Sequence, residues 1–437
     1  MNEEGERRAK PSEVDSAYAW LRLAAALALG TIGGVGMWSF VVVLPAVQAE
    51  FGVTRAMASL PYAAIMLGFG VGGILLGRLS DRVGIFFPLV LGAVMLGLGY
   101  VLAGIATNLW WFVVAHGLVI GLLGSATVFG PLMADTSRWF LERRGLAVGI
   151  CASGNYVAGT IWPPVVQHFV EVSGWRTTYV AIGIFCFLAM LPLAFLMRRP
   201  APAQVMAPPP ARHETAVVAT LEPQRGDDAA RRAMPSQDFV MVLLLIAGFA
   251  CCMAMAMPQV HLVAYCGDLG YGPARGAQML SLMMAMGVVS RLLSGWICDS
   301  IGGLATLLIG SVLQGLALLL YLPFDGLVSL YVISAMFGLF QGGIVPSYAI
   351  IVRELFPARE AGYRIGFVLF ATLVGMALGG WSSGRIYDAT GSYHAAFPHG
   401  VFWNVVNGAI VLWLMLRLGR FDGALRWLRG ARHAAAG

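Results

Sequence analysis

The chain has 437 residues, of which 59% are hydrophobic and only 11% are charged, and its formal net charge is +6. Its mean hydropathy is +0.77, whereas a soluble domain needs a far more charged surface, so this composition excludes a water-soluble globular protein. The positive charge comes mainly from arginines at the ends of apolar runs, which favours membrane orientation over nucleic-acid binding.

Twelve apolar runs are each long enough to cross a bilayer core, which requires about 20 residues of helix. They form two sets of six around residues 199–237, a segment with seven of the 21 prolines and mixed charges. The predicted spans are 18–44, 56–77, 85–106, 109–134, 145–169 and 176–198, then 238–264, 275–297, 304–322, 327–352, 360–384 and 395–418.

The predicted fold class is therefore an all-α membrane protein made of two six-helix bundles. The domains are a tail at 1–17, a bundle at 18–198, a linker at 199–237, a bundle at 238–418 and a tail at 419–437. Because residues 1–17 are polar, we expect an uncleaved first span rather than a signal peptide. The six cysteines fall mostly within apolar runs and form no CxxC pair, so neither a zinc site nor a disulfide framework is indicated. No metal or cofactor is expected.

Arginine placement predicts the orientation. With both termini in the cytoplasm, eight arginines fall in the short cytoplasmic loops and four in the outward loops. We expect a cell-membrane protein with cytoplasmic tails and a cytoplasmic linker. The inward set is Arg78, Arg82, Arg138, Arg143, Arg144, Arg353, Arg359 and Arg364, and the outward set is Arg55, Arg176, Arg275 and Arg385.

The two halves repeat each other at a nearly constant offset. Residues 77–84 read GRLSDRVG and residues 295–302 read GWICDSIG, so Gly77, Asp81 and Gly84 recur 218 positions later. At an offset of 217, the acidic Glu171 is matched by the acidic Asp388, and three glycines of the first half are matched by glycines. Parallel repeats imply a cavity between pseudo-two-fold related halves, which rock to expose it alternately.

Twelve spans, a central linker and GRLSDRVG after the second span resemble the major facilitator superfamily. The resemblance implies its fold and a latch at the cytoplasmic face, although Ile85 and Phe86 stand where basic residues often follow. A tight charged turn that only fixes topology is the alternative. The candidate gating residues are Gly77, Arg78, Asp81, Arg82, Gly84, Gly295 and Asp299.

Within that superfamily the sequence is most similar to the monocarboxylate porters. Residues 139–154 read WFLERRGLAVGICASG, which matches the signature leading into helix 5 of that family, and DSAYAW at 15–20 resembles a second signature. Arg143 and Arg144 begin helix 5 and are candidates for gating or for attracting anions. Topology and phospholipid contact explain them equally well.

Arg291 is the most informative residue. It lies about eight residues before Asp299, hence about 12 Å from the end of its span, and an arginine at such depth normally faces a bundle interior or an aqueous cavity. A guanidinium offers a planar fork for a carboxylate. Its counterpart in the first half is Gly73, and it aligns with the substrate-binding arginine of monocarboxylate porters. Snorkelling to the surface, or pairing with Glu354 or Asp135, is the alternative.

Two features of well-known monocarboxylate porters are missing. Gly287 stands where an aspartate precedes that arginine by one turn, and Trp38 stands where helix 1 carries a lysine. Proton symport through such a pair is therefore in doubt, and anion uniport or exchange is at least as plausible. His116 and His261 could titrate near physiological pH, although structural hydrogen bonding is the more common role of such histidines.

Other polar or aromatic residues near mid-membrane are candidates to line the cavity, with interhelical packing as the alternative. They are Trp38, Tyr62, Asn155, Tyr156, Gln341 and Tyr348.

The leading hypothesis is secondary transport of a small organic anion, most plausibly a monocarboxylate, by alternating access. The alternatives are an inorganic anion, an exported hydrophobic compound, or a transport-inactive sensor on the same fold. No enzyme is expected, because no HExxH or paired acids occur within the spans. ATP-driven transport would need a GxxxxGK[ST] loop, and the only lysine is Lys10.

Overall fold

The computed structural model describes residues 14–201 and 236–419. Most of the two predicted tails and of the predicted linker lies outside these ranges. Within them, eleven helices are long and apolar enough to cross a membrane. They are α1 (Ala17–Phe51), α2 (Arg55–Val83), α3 (Phe86–Gly104), α4 (Leu109–Thr136), a 53-residue helix (Arg144–Leu196), α7 (Gln237–Asp268), α8 (Pro273–Ile301), α9 (Gly303–Leu320), α10 (Leu327–Leu355), α11 (Arg359–Thr390) and α12 (Tyr393–Arg417).

The 53-residue helix is two spans joined by a kink. At about 1.5 Å per residue it would be about 80 Å long, far more than the roughly 30 Å bilayer core. Gly174 breaks it with φ 77° and ψ 160°, a conformation essentially restricted to glycine. We call the two arms α5 and α6. With this division, the described ranges contain the twelve spans that the sequence predicts.

Several helices extend beyond their predicted ends. α1 continues to Phe51 rather than 44, and α11 continues to Thr390 rather than 384. Both extensions carry polar residues such as Glu50 and Asp388. A helix does not have to stop where its apolar run stops, because its polar end is solvated at the membrane interface or bonded to neighbours.

Side-chain caps begin many of the helices. Ser16, Asn108 and Ser236 each accept a hydrogen bond from the backbone N–H three residues later, which satisfies one of the free donors of a helix start. Glycines end the equivalent helices of the two halves in the same way: Gly84 has φ 81° and ψ 168°, and Gly302 has φ 84° and ψ 164°. The sequence repeat is thus also a backbone repeat.

Three spans are irregular near mid-membrane. α1 is interrupted at Gly34, α10 at Gly342–Gly343, and α4 passes through a π-helix (Ala115–Gly124) and a 3₁₀ turn (Ser125–Val128). Irregular backbone at membrane depth is tolerated where it is buried in protein or lines a cavity. The Ser125 hydroxyl satisfies part of it by donating to the Gly33 carbonyl at 3.0 Å.

The halves pack through α5 with α8, α2 with α11, and α1 with α7. Small residues make the approach close. A Cβ on Gly384 of α11 would lie 2.8 Å from the Ala56 Cα of α2, and one on Gly159 of α5 would lie 2.6 Å from the Met284 Cγ of α8. Between these contacts lies a central cavity.

Candidate functional site

The central cavity has a volume of about 130 Å³ and lies between the halves. Five of the residues predicted from the sequence line it together: Trp38 of α1, Tyr62 of α2, Asn155 and Tyr156 of α5, and Arg291 of α8. We call it the Arg291 cavity. All five residues therefore line the same cavity. That they bind substrate stays a prediction.

Arg291 is held by the opposite half. Its Nη1 donates to the Ala152 carbonyl of α5 at 3.0 Å, and its Cζ lies 4.0 Å from the centroid of the Tyr156 ring. Among the described residues, no carboxylate lies within ion-pair distance, and its buried Nε has no hydrogen-bond partner. The cation is therefore stabilised by a carbonyl dipole and an aromatic face, without a negative charge.

The ring of Tyr156 also occupies the space next to Gly287. A Cβ on Gly287 would lie 2.3 Å from Tyr156 Cε1 and 2.4 Å from Cδ1. An aspartate at this position could not coexist with the ring in this arrangement. The tyrosine ring thus lies between Gly287 and Arg291, at the position where the family resemblance implies an acid.

Trp38 and Asn155 are fixed to each other. The indole Nε1 of Trp38 donates to the Asn155 carbonyl at 3.0 Å and to its Oδ1 at 3.2 Å. The Asn155 oxygen is thereby engaged, and its side-chain N–H₂ group bonds to no other described residue. The cavity wall beside Arg291 therefore carries an available amide donor.

Gln341 and Tyr348 lie outside the cavity lining. Gln341 accepts a hydrogen bond at 2.9 Å from Gln259, which is itself a lining residue. The Tyr348 hydroxyl donates to Asn407 at 2.8 Å, inside the second half. The sequence analysis did not select several lining residues. Most of them are apolar, and an apolar side chain within a membrane span carries no distinctive pattern. They include Met37, Met66, Phe69, Phe129, Met255 and Gln259.

The helix bundle has two ends, which we name after Asp81 and Arg55. At the Asp81 end α2 ends at Val83, α5 begins at Arg144 and α8 ends at Ile301. At the Arg55 end α1 ends at Phe51, α5 meets α6 at Gly174 and α7 ends at Asp268.

At the Asp81 end, the candidate gating residues contact their own half. Asp81 pairs with Arg138 at 2.9 Å, and the Nε of Arg144 donates to the Phe140 carbonyl at 3.2 Å. Arg78, Arg82, Arg143 and Asp299 are exposed. A latch role for this group stays a prediction.

The two signatures of the family resemblance touch each other. The carboxylate of Asp15 accepts hydrogen bonds from the backbone N–H groups of Leu141 at 3.1 Å and Glu142 at 3.3 Å. Tyr18 packs edge-on against Trp139, with centroids 5.4 Å apart. Residues 15–20 therefore anchor the loop that leads into α5, the helix that holds Arg291 from the other half.

Arg22 is a second arginine inside a span. It is buried and pairs with Asp135 at 2.6 Å, with its Cζ 4.4 Å from the Trp139 ring. Asp135 is thus already engaged and is not the partner of Arg291. Arg22 is neutralised within its half, whereas Arg291 is not.

Both histidines are buried and hydrogen-bonded. His116 contacts the Phe112 carbonyl at 2.8 Å and the Tyr179 hydroxyl at 3.2 Å. His261 contacts the Gly380 carbonyl at 2.8 Å and the Tyr393 hydroxyl at 2.9 Å. Neither lines the Arg291 cavity, which fits the structural alternative.

The halves are joined by an ionic contact at the Arg55 end. The Asp388 carboxylate of α11 accepts the backbone N–H groups of Arg55 at 2.8 Å and Ala56 at 2.9 Å, at the start of α2. The Arg55 guanidinium pairs with Asp268 of α7 at 3.1 Å and lies 4.5 Å from the Tyr387 ring. The sequence analysis treated Arg55 only as a topology residue. We call this cluster the Arg55 lock.

The Asp81 end of the interface helices is open by contrast. A Cβ added to Gly145 or Gly149 of α5, or to Gly362 or Gly366 of α11, meets no described atom within 4 Å. The conformation is therefore closed at the Arg55 end and loosely packed at the Asp81 end.

This arrangement of two halves around a central cavity agrees with a comparison of the sequence with known families. The model of the Major Facilitator Superfamily matches residues 26–329, more than half of the chain. The chain belongs to the major facilitator superfamily. It is a membrane transporter of that superfamily, and within it the chain is close to the monocarboxylate transporters.

Similar curated proteins support this placement. Monocarboxylate transporter 13 of Rattus norvegicus is 28% identical, over 91% of this chain and 87% of its own length. Monocarboxylate transporter 12-B of Danio rerio is 27% identical, over 80% of this chain and 76% of its own length. The resemblance predicted from the two signatures is confirmed.

Solved structures agree with the fold. A peptide transporter POT in complex with sulfate has a TM-score of 0.71 at 15% identity and covers 91% of this chain and 95% of its own. A bacterial homolog of the human lysosomal transporter Spinster, inward-facing and occupied, has a TM-score of 0.64 at 14% identity, covering 94% and 98%. At such identities the likeness concerns the fold alone.

We expect Asp388→Ala to loosen the Arg55 end. The change removes two charge-assisted hydrogen bonds, each contributing about 1.5–3 kcal/mol, enough to raise a minor open population tenfold or more. Spin labels on Ala49→Cys and Arg275→Cys, on opposite halves, should report a larger fraction of long distances by double electron–electron resonance.

The matched control is Glu171→Ala. Glu171 is the repeat counterpart of Asp388, and its carboxylate accepts a hydrogen bond from Gln167 of its own helix at 2.9 Å. It should leave the distance distribution unchanged. Identical distributions for Asp388→Ala and the unsubstituted protein would contradict a locking role.

Proposed function

We propose that this transporter moves a small monocarboxylate anion, and that Arg291 binds the carboxylate. The observation that carries the proposal is the placement of Arg291 in the central cavity without a described acidic partner. A cation at membrane depth is costly unless it is compensated. A bound carboxylate supplies the missing negative charge, and its two oxygens can accept two parallel hydrogen bonds from the guanidinium.

The surroundings of Arg291 support an organic rather than an inorganic anion. The Asn155 amide can donate into the same cavity as the guanidinium, while most of the remaining lining is aromatic or aliphatic. An inorganic anion would leave these walls without a partner. The names of the curated relatives, monocarboxylate transporters 13 and 12, agree with this class of substrate.

The position of Arg291 links binding to movement. Its two contacts, Ala152 and Tyr156, belong to the first half, whereas Arg291 belongs to the second. A carboxylate that accepts hydrogen bonds from the guanidinium competes with the Ala152 carbonyl and so alters a contact between the halves. This fits alternating access, in which the halves rock around a central site.

The Arg55 lock supports the same mechanism. We infer that the Arg55 end faces outward, since the arginine-rich loops belong to the Asp81 end. The conformation is then closed at the outer end and loosely packed at the cytoplasmic end. Return of the cavity to the outside requires separation of Arg55 from Asp388 and Asp268, three groups contributed by both halves.

We expect Arg291→Ala to lower uptake of labelled short monocarboxylates in proteoliposomes at least tenfold, because it removes charge-assisted hydrogen bonds in a partly buried site. Arg291→Lys should recover only part of the wild-type uptake rate, since lysine keeps the positive charge but lacks the planar guanidinium that binds a carboxylate through two hydrogen bonds. A pH gradient imposed in the same assay tests proton coupling.

Arg275→Ala is the control for this assay. Arg275 lies at the start of the same helix, is exposed and contacts Gln278 at 3.2 Å, so uptake should stay near the wild-type rate. Unchanged uptake in Arg291→Ala would contradict the assignment of the site. Absence of uptake and counterflow for every carboxylate in the wild type would favour a sensor or another substrate.

Tyr156→Leu and Tyr156→Phe form a second, paired test. Phenylalanine keeps the ring against the guanidinium and leucine removes it, and such contacts contribute about 0.5–2 kcal/mol. We expect the KM for uptake to rise severalfold in the leucine variant and to change little in the phenylalanine variant. Equal KM values in the two variants would show that the ring does not position Arg291.

A further inference from the structure

The Arg291 cavity has a mostly apolar wall that carries a few polar groups. Arg291 is the charged residue of its described lining, which also contains the amides of Asn155 and Gln259 and the hydroxyl of Thr372. The apolar wall includes Trp38, Tyr62, Met66, Phe69, Phe129 and Met255. A ligand that fills this space needs one anionic end and an apolar body.

Two of the aromatic residues pack against each other. The ring centroids of Phe69 from α2 and Phe129 from α4 are 5.7 Å apart, with planes at 48°. Phe129 lies where the 3₁₀ turn Ser125–Val128 gives way to regular helix, with φ −122° and ψ −86°. The irregular backbone of α4 thus has a consequence for the cavity, because it sets the direction of this ring.

Trp38 contributes a ring face rather than a polar group. Its indole N–H is engaged by Asn155, and the residue is only 4% exposed. A Cβ on Gly159 would lie 2.9 Å from its Cε2, so the ring lies directly on the α5 backbone. The part of the indole ring that lines the cavity is available to pack against an apolar ligand.

The size of the cavity limits the body of the ligand. Its volume of about 130 Å³ is close to that of the roughly 150 Å³ apolar cavity that binds benzene in another protein. A single ring or a branched chain of similar size fills it, whereas acetate or lactate leaves much of the aromatic wall uncovered.

Resting on the proposed function, we propose that the Arg291 cavity selects monocarboxylates with a compact apolar body, a single aromatic ring or a branched aliphatic chain. Short hydroxylated acids are weaker ligands, because a hydroxyl facing the methionines and phenylalanines loses its hydrogen bonds to water. Dicarboxylates are weaker because their second charge would meet the apolar wall.

The test is direct binding to the full-length protein in nanodiscs, by isothermal titration with acetate, isobutyrate, phenylacetate, lactate and succinate. Binding avoids the leak of protonated weak acids through liposomes. We expect affinity to rise from acetate to isobutyrate to phenylacetate, by about fourfold per added buried methylene, and lactate and succinate to bind more weakly than phenylacetate. Lactate binding as tightly as phenylacetate would overturn the inference.

The outcomes separate this inference from the proposed function. Acetate and lactate binding that is lost in Arg291→Ala, with no gain for phenylacetate, refutes the apolar selectivity and leaves the anion site standing. Absence of binding by every carboxylate refutes both.

Phe129→Leu tests the wall itself and should narrow the ratio of phenylacetate to acetate affinity. Phe195→Leu is the control, because Phe195 pairs with Phe86 at 5.3 Å outside the cavity lining and should leave the ratio unchanged. Equal ratios in the two variants would contradict the role of the aromatic pair. If Phe129→Leu does not fold, the wild-type series alone decides.

Discussion

The structure depends on one uncompensated cation at membrane depth. Arg291 is held by a carbonyl and an aromatic ring of the opposite half, and no described carboxylate neutralises it. Arg22 shows the alternative solution in the same chain, a buried arginine paired with Asp135 at 2.6 Å. The chain pairs one arginine with an acid and leaves the other facing a cavity, and we propose that the second is kept for a ligand.

The same interface explains why the site is asymmetric within a symmetric scaffold. The backbone repeats, with Gly84 and Gly302 ending equivalent helices in the same conformation, but the charges do not. Arg291 has Gly73 as its counterpart, and Asp388 closes the Arg55 end whereas Glu171 stays within its own helix. The repeat supplies the two halves, and the departures from it supply the proposed ligand site and the Arg55 lock.

Much of this could be read from the sequence, and the limits have physical causes. Twelve spans, two halves and the family follow from hydropathy and local motifs, which are encoded in neighbouring residues. Five of the seven predicted substrate residues share the cavity, because polar and aromatic groups at membrane depth are conspicuous. Phe69, Phe129 and Met66 were missed, since apolar residues in a span give no signal of which face is lined. The Arg55 lock was missed because it joins residues more than 200 positions apart, and the sequence does not show which end of the bundle is closed.

The most direct test is a structure of the protein with an iodinated monocarboxylate bound, in which the iodine and the carboxylate can be located separately. We predict carboxylate oxygens at hydrogen-bond distance, about 3 Å, from the Arg291 guanidinium nitrogens, with the contact to the Ala152 carbonyl broken or shared. A carboxylate bound elsewhere, with Arg291 still on Ala152 and no anion beside it, would contradict the account.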